Sequence, residues 1–234
     1  MPRKKAPQKI EDIAEAAVAC FTDTGIRRTQ MADVAKAAGV STGTLYLYVT
    51  SKEALFHLAV LKVCGQPLDG LTLPLAEPGT GETVSVYAAR VTEVAKWPAL
   101  REALAPDAAP GPKALVAIGT ELYDILHEAR RAIWLLDHCA PELPEFDALL
   151  STDMRSHYRD DIARVALKVS GRTGSPSIAL RLAARFAIEI IAWAAMHRTK
   201  ESAANSISGL SETEARKAAA DSFAALLSAA ATRE

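Results

Sequence analysis

The tightest constraint on what this chain can fold into is the run Thr29 to Leu55, TQMADVAKAAGVSTGTLYLYVTSKEAL. It reads as two short helices joined by a tight turn, with a third starting at once. Thr29 is a plausible N-cap, because its hydroxyl can accept a hydrogen bond from a first-turn N–H. Met31, Val34, Ala35 and Ala38 then recur at helical spacing and form one apolar face. Gly39 falls where a left-handed residue ends a helix, Val40 is apolar enough to plug the gap, and Ser41 caps the next helix. A helix-turn-helix needs a small residue where the axes cross, a turn residue that tolerates positive φ, and an apolar anchor in the second helix. Ala35, Gly39 and Leu45 meet those needs at compatible positions.

The short helix expected over Thr42–Tyr48 carries the hydroxyls of Thr42, Thr44, Tyr46 and Tyr48, with Gly43 among them. Such groups suit phosphate oxygens and base edges better than a protein core. A Gly-Val-Ser turn also occurs in helical domains that bind nothing, so the turn alone leaves both readings open.

The surroundings fit a small helical domain. Ile10, Ile13, Ala14, Ala17 and Phe21 predict an amphipathic helix from about Gln8 to Thr24, stopped by Gly25. Arg27 and Arg28 follow in the loop before Thr29, where they flank a bound backbone or are merely solvated. Ser51 caps a further helix through Lys62. Lys52 lies in its first turn, the wrong end of the helix dipole for a cation, which makes sense if it serves an outside anion such as phosphate. Simple exposure is the alternative. Residues 1–65 hold nine Lys/Arg against six Asp/Glu, and the remainder holds eighteen against twenty-two, so a small basic excess accompanies this region within a net charge of −1. Arg3, Lys4 and Lys5 form a basic arm that tracks phosphates or only solubilises the terminus.

Residues 8–62 resemble the DNA-binding domain of the TetR family of bacterial transcriptional regulators. Ile13, Ala17, Phe21 and Gly25 match its first helix; Thr29, Val34, Ala35, Ala38, Gly39, Val40 and Ser41 match its second helix and turn. Leu45, Tyr46, Lys52, Glu53 and Leu55 match the signature that follows. Val49 departs from it, standing where the family most often has Phe, which should weaken packing between the third and fourth helices. The resemblance implies that Thr29, Tyr48 and Lys52 hold phosphates, that Thr42, Thr44 and Leu47 face the groove, and that Tyr46 is shared between packing and backbone contact. Arg28, Ser41 and Gly43 complete the candidate DNA surface.

Half of the residues are apolar and 6% aromatic, which suits an all-helical protein. Beyond Cys64, Gly65–Gly81 is rich in Pro and Gly and reads as a linker. Helices are expected over about 82–96, a short piece through Leu104, then 113–137, 145–169, 177–198 and 211–231. No strand-like alternation stands out. The longest apolar stretch, Ile178–Met196, is broken every four residues by Arg181, Arg185 and Glu189, so a packed helix is expected and not a membrane span. Cys20, Cys64 and Cys139 are scattered and form no CxxC pair, which argues against a disulfide framework or zinc finger. With no signal-peptide run after the basic N-terminus, the expected compartment is the cytoplasm.

The last two helices are rich in small residues, among them Ala183, Ala184, Ala187, Ala218, Ala224 and Ala225, which let helix axes approach closely. The TetR resemblance implies that they pair with a second copy to form a homodimer. It also implies a cavity for a small effector. Candidate lining residues are Tyr87, Trp97, Tyr123, Leu126, His127, Trp134, Met154, Tyr158 and Trp193, an inventory that points to an apolar or aromatic ligand. No zincin spacing, phosphate loop or Gly-x-Ser-x-Gly elbow is present, and nothing gathers His138, Cys139, His157, Asp160 and Asp161 about a metal. No enzyme activity, metal or cofactor is expected.

The expected protein is all-α. Residues 1–50 form a three-helix DNA-binding domain with a helix-turn-helix, and residues 51–234 form a larger helical domain for effector binding and dimerisation. Its expected partners are a double-stranded DNA operator, a small-molecule effector and a second copy, with no membrane. The alternative is a DNA-binding regulator without a small effector, controlled by a protein partner.

Overall fold

The computed structural model describes residues 7–79, 81–94, 96–143, 146, 154–202 and 204–234. The basic arm, residue 145 and residues 147–153 lie outside the described residues. Helices follow in the order α1 (Pro7–Arg28), α2 (Met31–Ala37), α3 (Thr42–Leu45), α4 (Lys52–Val63), α5 (Glu82–Val94), α6 (Pro98–Leu104), α7 (Pro112–Cys139), α8 (Met154–Val169), α9 (Ile178–Ala192) and α10 (Glu212–Ala231). No strand occurs among the described residues, so the all-α expectation holds. The chain divides into two compact units: Met1–Glu93 with Arg131–Ser151, and Val94–Arg130 with Thr152–Glu234.

In the first unit α1 supplies the stripe its spacing predicts. Ile13, Ala14, Ala17 and Phe21 are buried completely. Gly25, with φ 78°, breaks the helix and turns the chain toward α2. α4 lies against α1 and buries every residue from Ala54 to Leu61. Ser51 caps it by accepting from the Ala54 N–H at 3.1 Å, and Lys62 pairs with Glu11 of α1 at 2.6 Å. Four aromatic rings run through this core: Phe21 meets Phe56 edge-on at 5.4 Å, Phe56 meets Phe146 at 6.3 Å, and Phe146 meets Tyr87 at 6.1 Å. Such edge-to-face pairs add to the gain from burial. Burial pushes the Cys64 thiol up to about 11 and the Cys139 thiol up to about 12, so both are neutral core groups.

The connection between α4 and α5 is more ordered than its Pro and Gly content suggests. Leu71, Leu73 and Leu75 pack against the core, while Thr72, Pro74 and Ala76 between them are exposed. This is the period-two pattern of an extended chain with one buried face. Its main chain pairs with Val49 in a single parallel bridge. Val49, the residue that departs from the family pattern, is completely buried within the same core.

His57 of α4 is buried, its Nδ1 2.9 Å from Thr83 Oγ1 and its Nε2 3.9 Å from Glu82 Oε1. Burial lowers its pKa from the usual 6.5, and Glu82 opposes this only in part. Between the usual and the lowered value the unfolded chain binds a proton that the folded chain does not. The His57 contribution to stability is therefore complete above about pH 6.5 and is lost as pH falls through that window. Denaturant melts at pH 7.5 and pH 5 should show a larger loss for the wild type than for His57→Gln.

The second unit packs α6, the first part of α7, α8, α9 and α10. Close approach is visible at Gly119, where an added Cβ would meet Phe223 Cδ1 at 3.0 Å. Ser177 caps α9 by accepting from the Leu180 N–H, and Ser211 forms a capping box with Glu214 at the start of α10. After Ala192 the helix widens into a π turn, Trp193–His197. One face of α9 stays uncovered. Ile178, Leu182, Phe186 and Trp193 are 86%, 51%, 53% and 40% exposed and, with spacings of four and seven, lie on one side of the helix. On α10, Ala218, Ser222, Ala225 and Ala229 are likewise exposed at helical spacing.

Candidate nucleic-acid interface

The turn between α2 and α3 closes as a Schellman motif. Val40 N–H donates to Ala35 O at 2.9 Å and Gly39 N–H to Lys36 O at 3.1 Å, with Gly39 at φ 63°. The space beside Gly39 is open, so its lack of a side chain serves the backbone angle and not a close contact. Ser41 then caps α3, accepting from the Thr44 N–H at 3.0 Å, with the Thr44 hydroxyl 2.8 Å away. Leu45 is fully buried and fixes which side of the single-turn helix faces inward. The helix ends at Leu45, short of the expected Tyr48, and the turn that follows presents Tyr46 and Leu47, 48% and 56% exposed, near exposed Gly43 and half-buried Thr42 and Thr44.

The other candidates are placed differently. Thr29 is buried, and its hydroxyl donates to Gly25 O at 2.7 Å with the Thr24 hydroxyl equally close. It is not the N-cap of α2: that position is Gln30, whose N–H donates to Asp33 Oδ2 at 3.0 Å. A hydroxyl satisfied by the preceding turn has no reason to cap the following one. Tyr48, expected to hold a phosphate, is also buried, unlike Tyr46 beside it. Lys52 directs its amine at the carbonyl oxygens of Arg27 and Thr29, at 3.4 and 3.3 Å. Those acceptors account for a cation in the first turn of α4 and tie α4 to the loop before α2. Arg28 is exposed beside them. At the other end of α2, Lys9 donates to Ala38 O at 3.4 Å, a contact with no signature in the sequence. Cations thus flank α2 and α3, while α3 itself is uncharged.

The effector candidates separate between the units. Tyr87 and Trp134 belong to the first, and Trp97, Tyr123, Leu126, His127, Tyr158 and Trp193 to the second; the side chain of Met154 lies outside the described residues. Several are engaged with neighbouring groups. Trp97 is buried, donates Nε1–H to Ile118 O at 3.2 Å and meets Tyr158 edge-on. Trp193 donates to Glu201 at 2.8 Å. Tyr123 stacks on His127 and donates to Glu212 Oε1 at 2.5 Å, while Arg198 pairs with the other oxygen of that carboxylate. His127 Nδ1 lies 2.9 Å from Glu212 Oε1 but without hydrogen-bond alignment. Burial, then the Glu212 hydrogen bond, raises the Tyr123 pKa. Among the described residues the fold thus brings together Trp97 with Tyr158, and Tyr123 with His127. Leu126 is half-buried on the same helix.

Two clefts in the first unit involve none of these residues but Tyr87's neighbours. One, of about 220 Å³, is lined by His57, Leu75, Glu77 and Glu82 among others. The second, of about 290 Å³, is lined by Phe56, Val84, Leu143 and Phe146 together with Glu53 and Glu77 among others. No helix among the described residues is long and apolar enough to cross a membrane.

Residues 13–59 match the model of the bacterial regulatory proteins of the TetR family. The chain is 38% identical over 66 residues to the uncharacterized HTH-type transcriptional regulator YvdT of Bacillus subtilis, covering 28% of this chain and 34% of that protein. It is 30% identical over 80 residues to the fatty acid metabolism regulator protein of the same organism, covering 34% and 41%. The matched part thus spans well under half the length of these curated relatives. A TetR-like transcriptional regulator from Rhodococcus sp. RHA1 aligns over 99% of this chain and 97% of its own, at 18% identity and a TM-score of 0.46. The likeness to the bacterial regulatory proteins of the TetR family is thus carried by the N-terminal residues 13–59.

Proposed function

We propose that this chain is a cytoplasmic, non-enzymatic transcriptional repressor that binds a palindromic operator as a homodimer and is released by a small apolar or aromatic effector. Residues 1–50 read the DNA, and residues 51–234 bind the effector and dimerise. The observation that carries the DNA reading is the exposed pair Tyr46 and Leu47 at the C-terminal end of a helix anchored by buried Leu45 and entered through the Gly39 turn. A single-turn helix reads few bases, so a second copy multiplies both affinity and sequence content. The uncovered stripe Ile178–Trp193 supports that second copy.

In this reading Thr42, Thr44, Tyr46 and Leu47 face the groove. Ser41 and Gly43 bring the main chain close, while Arg28 and Lys52 lie along the phosphates. Thr29 and Tyr48 support the surface from inside. Replacing both Tyr46 and Leu47 with Ala should lower operator affinity at least about tenfold, since each base contact is worth a comparable factor. Because both side chains are exposed, the melting temperature should hardly move. Fluorescence anisotropy with a labelled operator checks this, and unchanged affinity would refute the assignment.

The rival is a regulator controlled by a protein partner, without a small effector. It is favoured by Trp97 and Tyr123, expected to line a cavity but hydrogen-bonded within the second unit.

A further inference from the structure

We propose that the segment 71–78 is a strap that sets the pose of the recognition turn, with Leu75 as its fastening residue. The proposal rests on the DNA-binding reading of α3 and adds a positioning element to it. α3 is one turn long, and a helix that short does not hold its shape unaided. Its N-terminal side is secured by Gly39 and Ser41. Its exit, Tyr46–Thr50, leaves the helix through tight turns, with Leu47 N–H donating to Thr44 O and Tyr48 N–H to Leu45 O. The local bonds end with Val49 N–H on Leu45 O, and beyond them the exit is held by a segment distant in sequence.

Leu75 fixes it. Its N–H donates to Tyr48 O at 2.7 Å, and its carbonyl accepts from Thr50 N–H at 3.0 Å and from the Thr50 hydroxyl at 3.2 Å. The inward leucines at 71, 73 and 75 hold the strap on the core while its outward residues face solvent. The far end is fastened as well. Gly79 N–H donates to Glu82 Oε2 at 2.9 Å, and Glu82 and Thr83 flank His57 of α4. The strap therefore links the start of α5 to the exit of the recognition helix by a path other than α4. The strap itself, with His57 and Glu82, walls the 220 Å³ cleft, so whatever shifts that wall shifts the fastening of Tyr48 and Thr50.

The test uses the full-length protein in two variants. In one, Leu75 is replaced by its α-hydroxy acid analogue, which deletes the N–H alone. In the other, residues 71–76 are replaced by an equally long Gly-Ser segment. Affinities for a selected operator and for a random duplex are measured together with helical circular dichroism. With the bond to Tyr48 O lost in the first variant and the inward leucines lost in the second, operator affinity should fall about tenfold in each, while random-duplex affinity, set by phosphate charge, stays within about twofold. An unchanged ratio overturns the strap, whether both affinities hold or both fall together as folded protein is lost. A wild type that prefers no operator refutes the DNA reading itself, whereas preference retained in both variants refutes the strap alone.

Discussion

Phe186→Glu is expected to convert the protein to a monomer and to lower operator affinity by about a hundredfold or more. Phe186 is 53% exposed in the middle of a stripe whose other members, Ile178, Leu182 and Trp193, are also exposed. Three large apolar side chains in line on α9, with Trp193 just beyond its end, form the kind of exposed apolar patch that marks an interaction surface. A carboxylate at the centre of a face buried between copies would be left without a cation, a cost far larger than the contact it replaces. The loss in DNA binding follows from linkage: once the copies separate, the second half-site contact is no longer intramolecular, and avidity factors of about 10²–10⁴ disappear. Because the side chain is exposed within its own protomer, the fold of that protomer should survive. Analytical ultracentrifugation gives the oligomeric state, and a variant that stays dimeric would show that the stripe serves some other partner.

The second large effect is expected inside the first unit. Phe21→Ala removes a completely buried ring that meets Phe56 edge-on at 5.4 Å. Phe56 in turn contacts Phe146, and Phe146 contacts Tyr87, so the substitution opens one end of a continuous aromatic row. Core Phe-to-Ala changes cost about 3–5 kcal/mol, against a total stability of about 5–15 kcal/mol for a typical domain. DNA binding should therefore fail on warming by roughly 10 °C below the wild type. Phe21→Leu, which keeps most of the volume, should recover most of that difference. Equal melting of the Ala variant and the wild type would mean that Phe21 is not the keystone its burial implies.

Much of this architecture was legible in the residues because the relevant physics is local. Gly39 needed a positive φ, Leu45 had to be inward, and the spacing of Ile13, Ala17 and Phe21 named the buried side of α1. What escaped depends on contacts between distant segments. Thr29 looks like a helix cap from its type and place, but Gly25 O and the Thr24 hydroxyl claim its side chain first. Lys52 looked misplaced against the helix dipole until the carbonyls of Arg27 and Thr29 appeared beside it. The strap was obscured by its Pro and Gly content, although the alternation Leu71-Thr72-Leu73-Pro74-Leu75 carries the signal of a one-sided extended chain. On α9, Arg181, Arg185 and Glu189 mark one polar side, and apolar residues occupy the rest. Which of those faces is covered is settled only by packing, so the stripe Ile178–Trp193 emerges from the fold alone. The aromatic candidates for an effector site met the same limit. Their types suited a ligand cavity, but Trp97 and Tyr123 found hydrogen-bond partners within the chain.

The most direct test of the central claim is to present the wild-type protein with a random pool of duplex DNA and sequence what it retains. A homodimer that places two copies of α3 in successive major grooves predicts an inverted repeat with two-fold symmetry. It also predicts that Tyr46→Ala with Leu47→Ala abolishes the enrichment. A retained pool with no symmetric motif, bound no more tightly than random duplex, would contradict it.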